Sequence, residues 1–258
     1  SNTSYANGTS VHHSLNRAFS VHGVNNNTYV NNVAFDTHGH SLFIEDGSEM
    51  YNVITDNFIC VSRVSTSNLN TDLTPANFWL VSPSNYVARN RAGGSMAYGY
   101  WIAPFHPHST GPTFSTSICP ASHKLWGFHD NVAHSNKKYG VNIFQFWWPK
   151  ETECDFHGPD APARLYNIVS YKNQIWGVTL GNHEVGSIGA ITFDNLTSAD
   201  NGWIHPDAAN FWIEHIKAEN MTCGLQNSVL IALTGNQPQN RRTHRRGVNL
   251  PLGDNFFT

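Results

Sequence analysis

Asn131-Val-Ala-His134, followed by Asn136 and then Gly140-Val141, is a unit to which this 258-residue chain keeps returning. It reads Asn32-Val-Ala-Phe35 up to Gly39, with Leu42-Phe43-Ile44 behind it. It recurs as Asn167-Ile-Val-Ser170 with Asn173 and Gly177-Val178, and as Asn195-Leu-Thr-Ser198 with Asn201 and Gly202-Trp203. Asn57-Phe-Ile-Cys60, and Asn90-Arg-Ala92 with Gly99-Tyr100-Trp101, are more distorted copies. From the first Asn to the Gly is 7 to 10 residues, and copies start 25 to 41 residues apart. Short apolar runs joined by Asn and Gly turns suit stacked coils, because no single coil buries its own apolar face. Asn at matching turns tolerates left-handed φ and stacks amide on amide. The expected fold is all-β, a parallel β-helix with long irregular loop insertions. A β-sandwich with Asn-rich turns is the alternative that the pattern leaves open.

The inserts explain the uneven spacing. Residues 62–76 are rich in Ser, Thr and Asn. Residues 103–123 contain four prolines and residues 149–162 contain three, a density that excludes central strands. Such loops project from the coils and build whatever surface binds a ligand.

Composition agrees with β structure. Asn, Ser, Thr, Gly and aromatics are plentiful, while Lys, Glu and Leu are scarce. A formal charge of −3 argues against nucleic acid as the main partner. The Arg241–Arg246 run is the one basic stretch; it suits a polyanion such as a glycosaminoglycan, or a plain solvated loop. The chain has no initiating Met, no signal peptide and no apolar run of 18 residues, so residues 1–258 are expected to form one β-helix domain cut from a longer chain. Sequons at Asn2, Asn7, Asn26, Asn195 and Asn220 point to an extracellular, secreted or cell-surface glycoprotein. Cys60, Cys119, Cys154 and Cys223 are too dispersed for a Cys-based zinc site; three disulfide connectivities, or buried free thiols, remain.

The densest chemistry lies in Asp36-Thr-His-Gly-His-Ser-Leu-Phe-Ile-Glu-Asp-Gly47. With only fifteen basic and eighteen acidic residues in the chain, this cluster stands out. On a strand His38 and His40 share a face. Asp36, Glu45 and Asp46 add carboxylates for acid/base work or for Ca²⁺, the one cofactor the sequence suggests. A glycosidase needs two carboxyls roughly 5 to 9.5 Å apart, and Asp36 with Glu45 or Asp46 is the candidate pair, whose separation the sequence does not give. The opposing reading is turn capping around Asp46-Gly47. His12, His13, Arg17 and His22 lie one coil earlier and are expected to stack beside this cluster, with Arg17 clamping an acidic sugar. The metal-ligand set is open, because His-x-His lacks an identifiable third ligand. Adjacent strand residues point to opposite sides, so one of Trp147 and Trp148 should face outward, toward a sugar or a neighbouring chain.

Several segments together resemble a family of large extracellular proteins. It includes the cell-migration-inducing hyaluronan-binding protein and the transmembrane cell-surface hyaluronidase, with fibrocystin-like proteins more distant. The matching stretches are Val11–Arg17 with Val21-His22-Gly23, Gly39–Gly47, Phe78-Trp79 ahead of Pro83-Ser-Asn85, Ala92–Ser95, Asn131–Asn136 and Ala199–Gly202. The resemblance implies a right-handed parallel β-helix, an extracellular or membrane-tethered setting, and hyaluronan binding or depolymerisation by a polysaccharide hydrolase. The competing expectation is a non-catalytic module, a glycosylated spacer or adhesive subunit with neighbouring protein chains as partners.

Overall fold

A computed structural model of the chain describes residues 4–66, 69–104, 107–144, 146–181, 188–204, 208–213, 223–234 and 246–249. Over these residues short strands form three parallel sheets of eight, and every third strand joins the same sheet. The chain is therefore a right-handed parallel β-helix. Each coil gives one strand to each sheet, as Thr28–Val30, Val33–His38 and Leu42–Ile44 do in the second coil.

Asparagine sets the register. At the turn between the first and second sheets, the backbone N–H of Asn32 donates to the Asn57 side-chain oxygen at 3.0 Å. Asn57 repeats this with Asn90, and Asn90 with Asn131, each at 3.0 Å. The amide nitrogens donate along the same column and to strand carbonyls, as Asn90 Nδ2 does to the Ile54 carbonyl. All four residues are buried. Buried turn amides without partners would each cost about 1–3 kcal/mol. Asn27, Asn52 and Asn85 form a second ladder before the first sheet. Asn136, Asn173 and Asn201 form a third between the second and third sheets.

One alignment changes. Val132 pairs with Val169, so Ile168, not Asn167, is the counterpart of Asn131; Leu196, not Asn195, follows it. The amide ladder ends at Asn131 and apolar side chains take over, both in the main core. Asn167 and Asn195 instead continue a column of left-handed residues with Asn31, Asp56, Arg89 and Asp130, all with φ between 55° and 60°. Asn and Asp dominate that column because they bear positive φ at low cost.

The interior is filled by like-on-like stacks: Ile54, Val87 and Phe128 on the first sheet; Phe78, Tyr100 and Val141 on the third. The second sheet carries small residues such as Ala92, Ala133 and Ser170. That lets the third-sheet turns come close, since a Cβ at Gly140 would lie 2.2 Å from Ser170 Oγ. Outside the third sheet a second apolar layer forms from Phe43, Trp79, Trp101 and Tyr98.

Among the described residues the proline-rich inserts form no sheet strands, as expected. They fold back onto the ends of the third sheet. Cys119–Cys154 ties the 103–123 insert to the 149–162 insert, and Cys154 N–H donates to Ser122 Oγ at 2.9 Å. Cys60 and Cys223 are free thiols rather than disulfide partners. Cys60 lies in a strand of the second sheet, and Cys223 packs against the core with Sγ donating to the Gly189 carbonyl at 2.8 Å. Burial pushes the Cys223 thiol up to about 11.

Asn90→Ala removes the acceptor of the Asn57 N–H and the donor to the Ile54 carbonyl at the centre of the ladder. We expect a loss of about 3–5 kcal/mol, read as a shift in urea midpoint with an unchanged slope.

Candidate functional site

The Asp36–Gly47 stretch is drawn apart by the geometry of the coil. Val33–His38 is a strand of the second sheet, and Gly39, at φ +76°, turns the chain into the third. His38 and His40 therefore do not share a face, because the turn interrupts the strand alternation. His38 stays half-buried, its Nδ1 donating to the Val64 carbonyl at 3.1 Å. His40 is fully buried.

Asp36 occupies an architectural position. It aligns with His13 in the preceding coil and Val61 in the next, and all three have positive φ. Its carboxylate is held by Arg63, with His13 Nε2 at 3.7 Å. The Arg63 hydrogen bond, ahead of the nearby His13 and His38 charges, keeps the Asp36 carboxyl below the usual range. His12 is exposed and contacts His13.

His40 belongs to a closed group. Its Nδ1 accepts from the Ala76 N–H at 3.0 Å, so the ring proton sits on Nε2, 3.6 Å from Asp72 Oδ1. The ring lies 4.2 Å from Trp79 and is stacked at 5.6 Å from Phe43. Asp72, from the 62–76 insert, accepts from the His40 N–H at 3.1 Å and from Arg17 at 3.0 Å. Arg17 also lies 3.8 Å above the Phe43 ring. Arg17 is thus a partly buried ion-pair partner that pins an insert to the third sheet, rather than an open sugar clamp. Desolvation first, and the Arg17 charge second, hold the His40 imidazole well below its ordinary value.

Glu45 and Asp46 follow strand Leu42–Ile44 and sit at its far end, roughly 16 Å from His40 at 3.3 Å per residue. Here His22, from the coil before, reaches across. Its Nδ1 donates to Glu45 Oε2 at 3.0 Å and lies 3.5 Å from Asp46 Oδ2. His22 and Glu45 face solvent in part, whereas the Asp46 side chain is 4% exposed. Thr110 and Thr113 of the 103–123 insert donate to Asp46 at 3.4 and 3.3 Å. Glu49 props the turn from beneath, accepting backbone N–H groups of Gly23, Asp46 and Gly47 at 2.9, 3.1 and 2.9 Å. Burial raises its carboxyl against those bonds.

The donor atoms of His22, Glu45 and Asp46 lie within 4.8 Å of one another, so they are able to hold a cation. Ca²⁺ would need several more oxygens than these two carboxylates supply. A second such group, His108 with Cys119 and Cys154, has both sulfurs committed to the disulfide.

Asp72, Glu49, Thr110 and Thr113 were missed by sequence reasoning. The signal was faint: Asp72 is the one acid in the 62–76 insert, and Glu49 stands two residues beyond Gly47. Trp147 is fully buried, its indole donating to the His123 carbonyl at 2.9 Å. Trp148 faces the 149–162 insert, donating to Asp160 at 2.7 Å beneath the Lys150 ammonium at 3.9 Å. Asn7, Asn26 and Asn195 are exposed, and the Asn195 amide donates to Asn167 at 2.9 Å. Asn2, Asn220 and Arg241–Arg245 lie outside the described residues.

Residues 1–141 match a family model described as the CEMIP beta-helix. Fibrocystin-L of Mus musculus is 33% identical over 77% of this chain and 4% of its own length. A cell surface hyaluronidase of Danio rerio is 31% identical over 55% of this chain and 12% of its own. The cell migration-inducing and hyaluronan-binding protein of Homo sapiens is 24% identical over 98% of this chain and 22% of its own. The chain thus spans less than a quarter of each of these three relatives.

Because the folded His40 resists a proton that the unfolded chain accepts near 6.5, its contribution to stability is whole above that pH. It is lost as pH falls toward the depressed folded value. The slope from this group reaches about 1.4 kcal/mol per pH unit. Melting temperatures taken from neutral to mildly acidic pH should fall for the wild type and fall less steeply for His40→Gln.

Proposed function

The chain belongs to the CEMIP β-helix family, and from that premise we propose that it is an extracellular module acting on an acidic polysaccharide of the hyaluronan class. In this reading it binds the polymer and depolymerises it at His22, Glu45 and Asp46. The observation that carries the reading is the imidazole set between two carboxylates at 3.0 and 3.5 Å, on the solvent-facing end of the third sheet. The names of two relatives, a hyaluronidase and a hyaluronan-binding protein, supply the substrate class. The Cys119–Cys154 disulfide fits an oxidising, extracellular compartment. Among the described residues no helix is long and apolar enough to cross a membrane.

Hydrolysis of a glycosidic bond needs a proton delivered to the leaving oxygen and a proton taken from the attacking water. Glu45 and His22, 3.0 Å apart, are too close to work on opposite faces of one sugar. Glu45 therefore gives the proton to the leaving oxygen and then takes one from the attacking water, with the partly exposed His22 relaying it. Asp46 is held by two threonines in a buried position, where its charge opposes the positive charge that develops at the anomeric carbon. Ca²⁺ is an added variable of the assay, not a participant in these steps.

A second reading, a structural or adhesive module, is favoured by a different observation. Arg17, Asp36 and His40 each turn a polar group to an internal partner.

Size analysis of high-molecular-mass hyaluronan after incubation with the protein, with and without Ca²⁺, separates the two. The wild type should shorten the polymer, and His22→Asn or Glu45→Gln should slow this by about a hundredfold or more, with melting temperature unchanged. Intact binding without shortening under either condition overturns the catalytic assignment and leaves the adhesive one.

A further inference from the structure

The outer face of the first sheet carries a row of rings with no role in the site above. Tyr51 and Trp126 are 52% and 46% exposed, among the largest apolar exposures on the solenoid. Their rings lie 6.0 Å apart, and Trp126 lies 5.6 Å from Tyr86. Tyr86 lies 5.3 Å from His129, which stacks on Tyr166 at 4.6 Å and 6°. Rung by rung these residues come from four successive coils, so the row covers three inter-strand steps, roughly 14 Å.

The row is built, not incidental. The Tyr86 ring lies down across Gly127, where a Cβ would come within 2.7 Å of it. Tyr86 Oη is 2.8 Å from His129 Nε2, and His129 Nδ1 is 2.6 Å from Asp130 Oδ2. Asp130 stays ionised, with the His129 hydrogen bond first among the causes and Asn167 assisting. Nδ1 therefore carries the imidazole proton, and the phenol O–H donates to Nε2. The Tyr86 oxygen accepts from the Arg89 side chain and keeps one lone pair for an incoming hydroxyl. Three arginines flank the row. Arg89 is paired with Asp56 and Arg164 with Asp194, while Arg91 reaches the Asp130 carbonyl. With Asp130 counted, acids and bases match, so the face carries little net charge.

We propose that this row is a carbohydrate-stacking site that takes a run of pyranose rings of a polysaccharide along the solenoid axis. Sugar rings present an apolar face and a hydroxylated rim, and the row offers ring faces beside fixed polar groups. Because the neighbouring charges cancel, the site selects by stacking and hydroxyl contacts. It accepts neutral as well as acidic sugars with little dependence on salt. It does not require cleavage at His22.

The test is calorimetric titration of the full chain with two probes, a hyaluronan oligosaccharide and an uncharged β-linked oligosaccharide, at low and high salt. The wild type should bind both, with affinity for the uncharged probe changing less than about twofold with salt. Trp126→Ala and Tyr51→Ala, at exposed positions that leave the core intact, should each weaken binding by about tenfold. His129→Gln should weaken it less, through loss of the support behind Tyr86. Wild-type affinity in both alanine variants, or no binding of the uncharged probe, overturns the proposal. Wild-type affinity in both alanine variants, together with hyaluronan cleavage lost in His22→Asn, would sink this site and spare the catalytic reading. The opposite pattern of binding without cleavage does the reverse.

Discussion

Everything in this molecule hangs from a hydrogen bond between the backbone N–H of one coil and the side-chain amide of the next. A solenoid turn cannot pair its backbone within the coil, and burial denies it water. An asparagine at the same place in successive coils answers both demands. Its oxygen receives the N–H of the coil before, and its nitrogen passes the pattern on or returns to a strand carbonyl. Coil length is then free. Inserts lengthen the coil between the Asn90 and Asn131 turns to 41 residues, yet the rungs above and below remain in register. Where the amides stop, at Ile168 and Leu196, apolar packing takes over the turn.

That freedom gives the molecule its chemistry. The inserts fold back on the outer face of the third sheet, and each plants a polar group at one end of it. Asp72 reaches His40 and Arg17 at one end; Thr110 and Thr113 reach Asp46 at the other. The aromatic layer of Phe43, Trp79 and Trp101 lies between. One end is sealed and pins the fold, whereas the other leaves His22 and Glu45 in contact with water. The difference between a structural histidine and a chemically available one is thus decided by which insert covers it.

The coil pattern was legible because its signal is local. Asn136, Asn173 and Asn201 stand in one ladder as the repeat suggests, and the described residues of the proline-rich inserts contain no sheet strand. The one-residue offset at Asn167 and Asn195 was not legible. Asn serves equally as a buried ladder amide and as a left-handed turn residue, so the letter alone does not separate the two. The site fared differently. Asp36, His38 and His40 are close in sequence, but positive φ at Asp36 and again at Gly39 sends them into three environments. His22 and Glu45, 23 residues apart, meet because that is one coil.

By itself the sequence determined the periodic demands: apolar runs that need a stacked partner, and asparagines that satisfy buried turns. These depend only on residue type and spacing. The tertiary structure alone decided which polar side chains meet, since that depends on insert paths and on coil lengths that differ from turn to turn. The same holds for the ring row from Tyr51 to Tyr166, whose members lie far apart along the chain and touch only once the coils are wound.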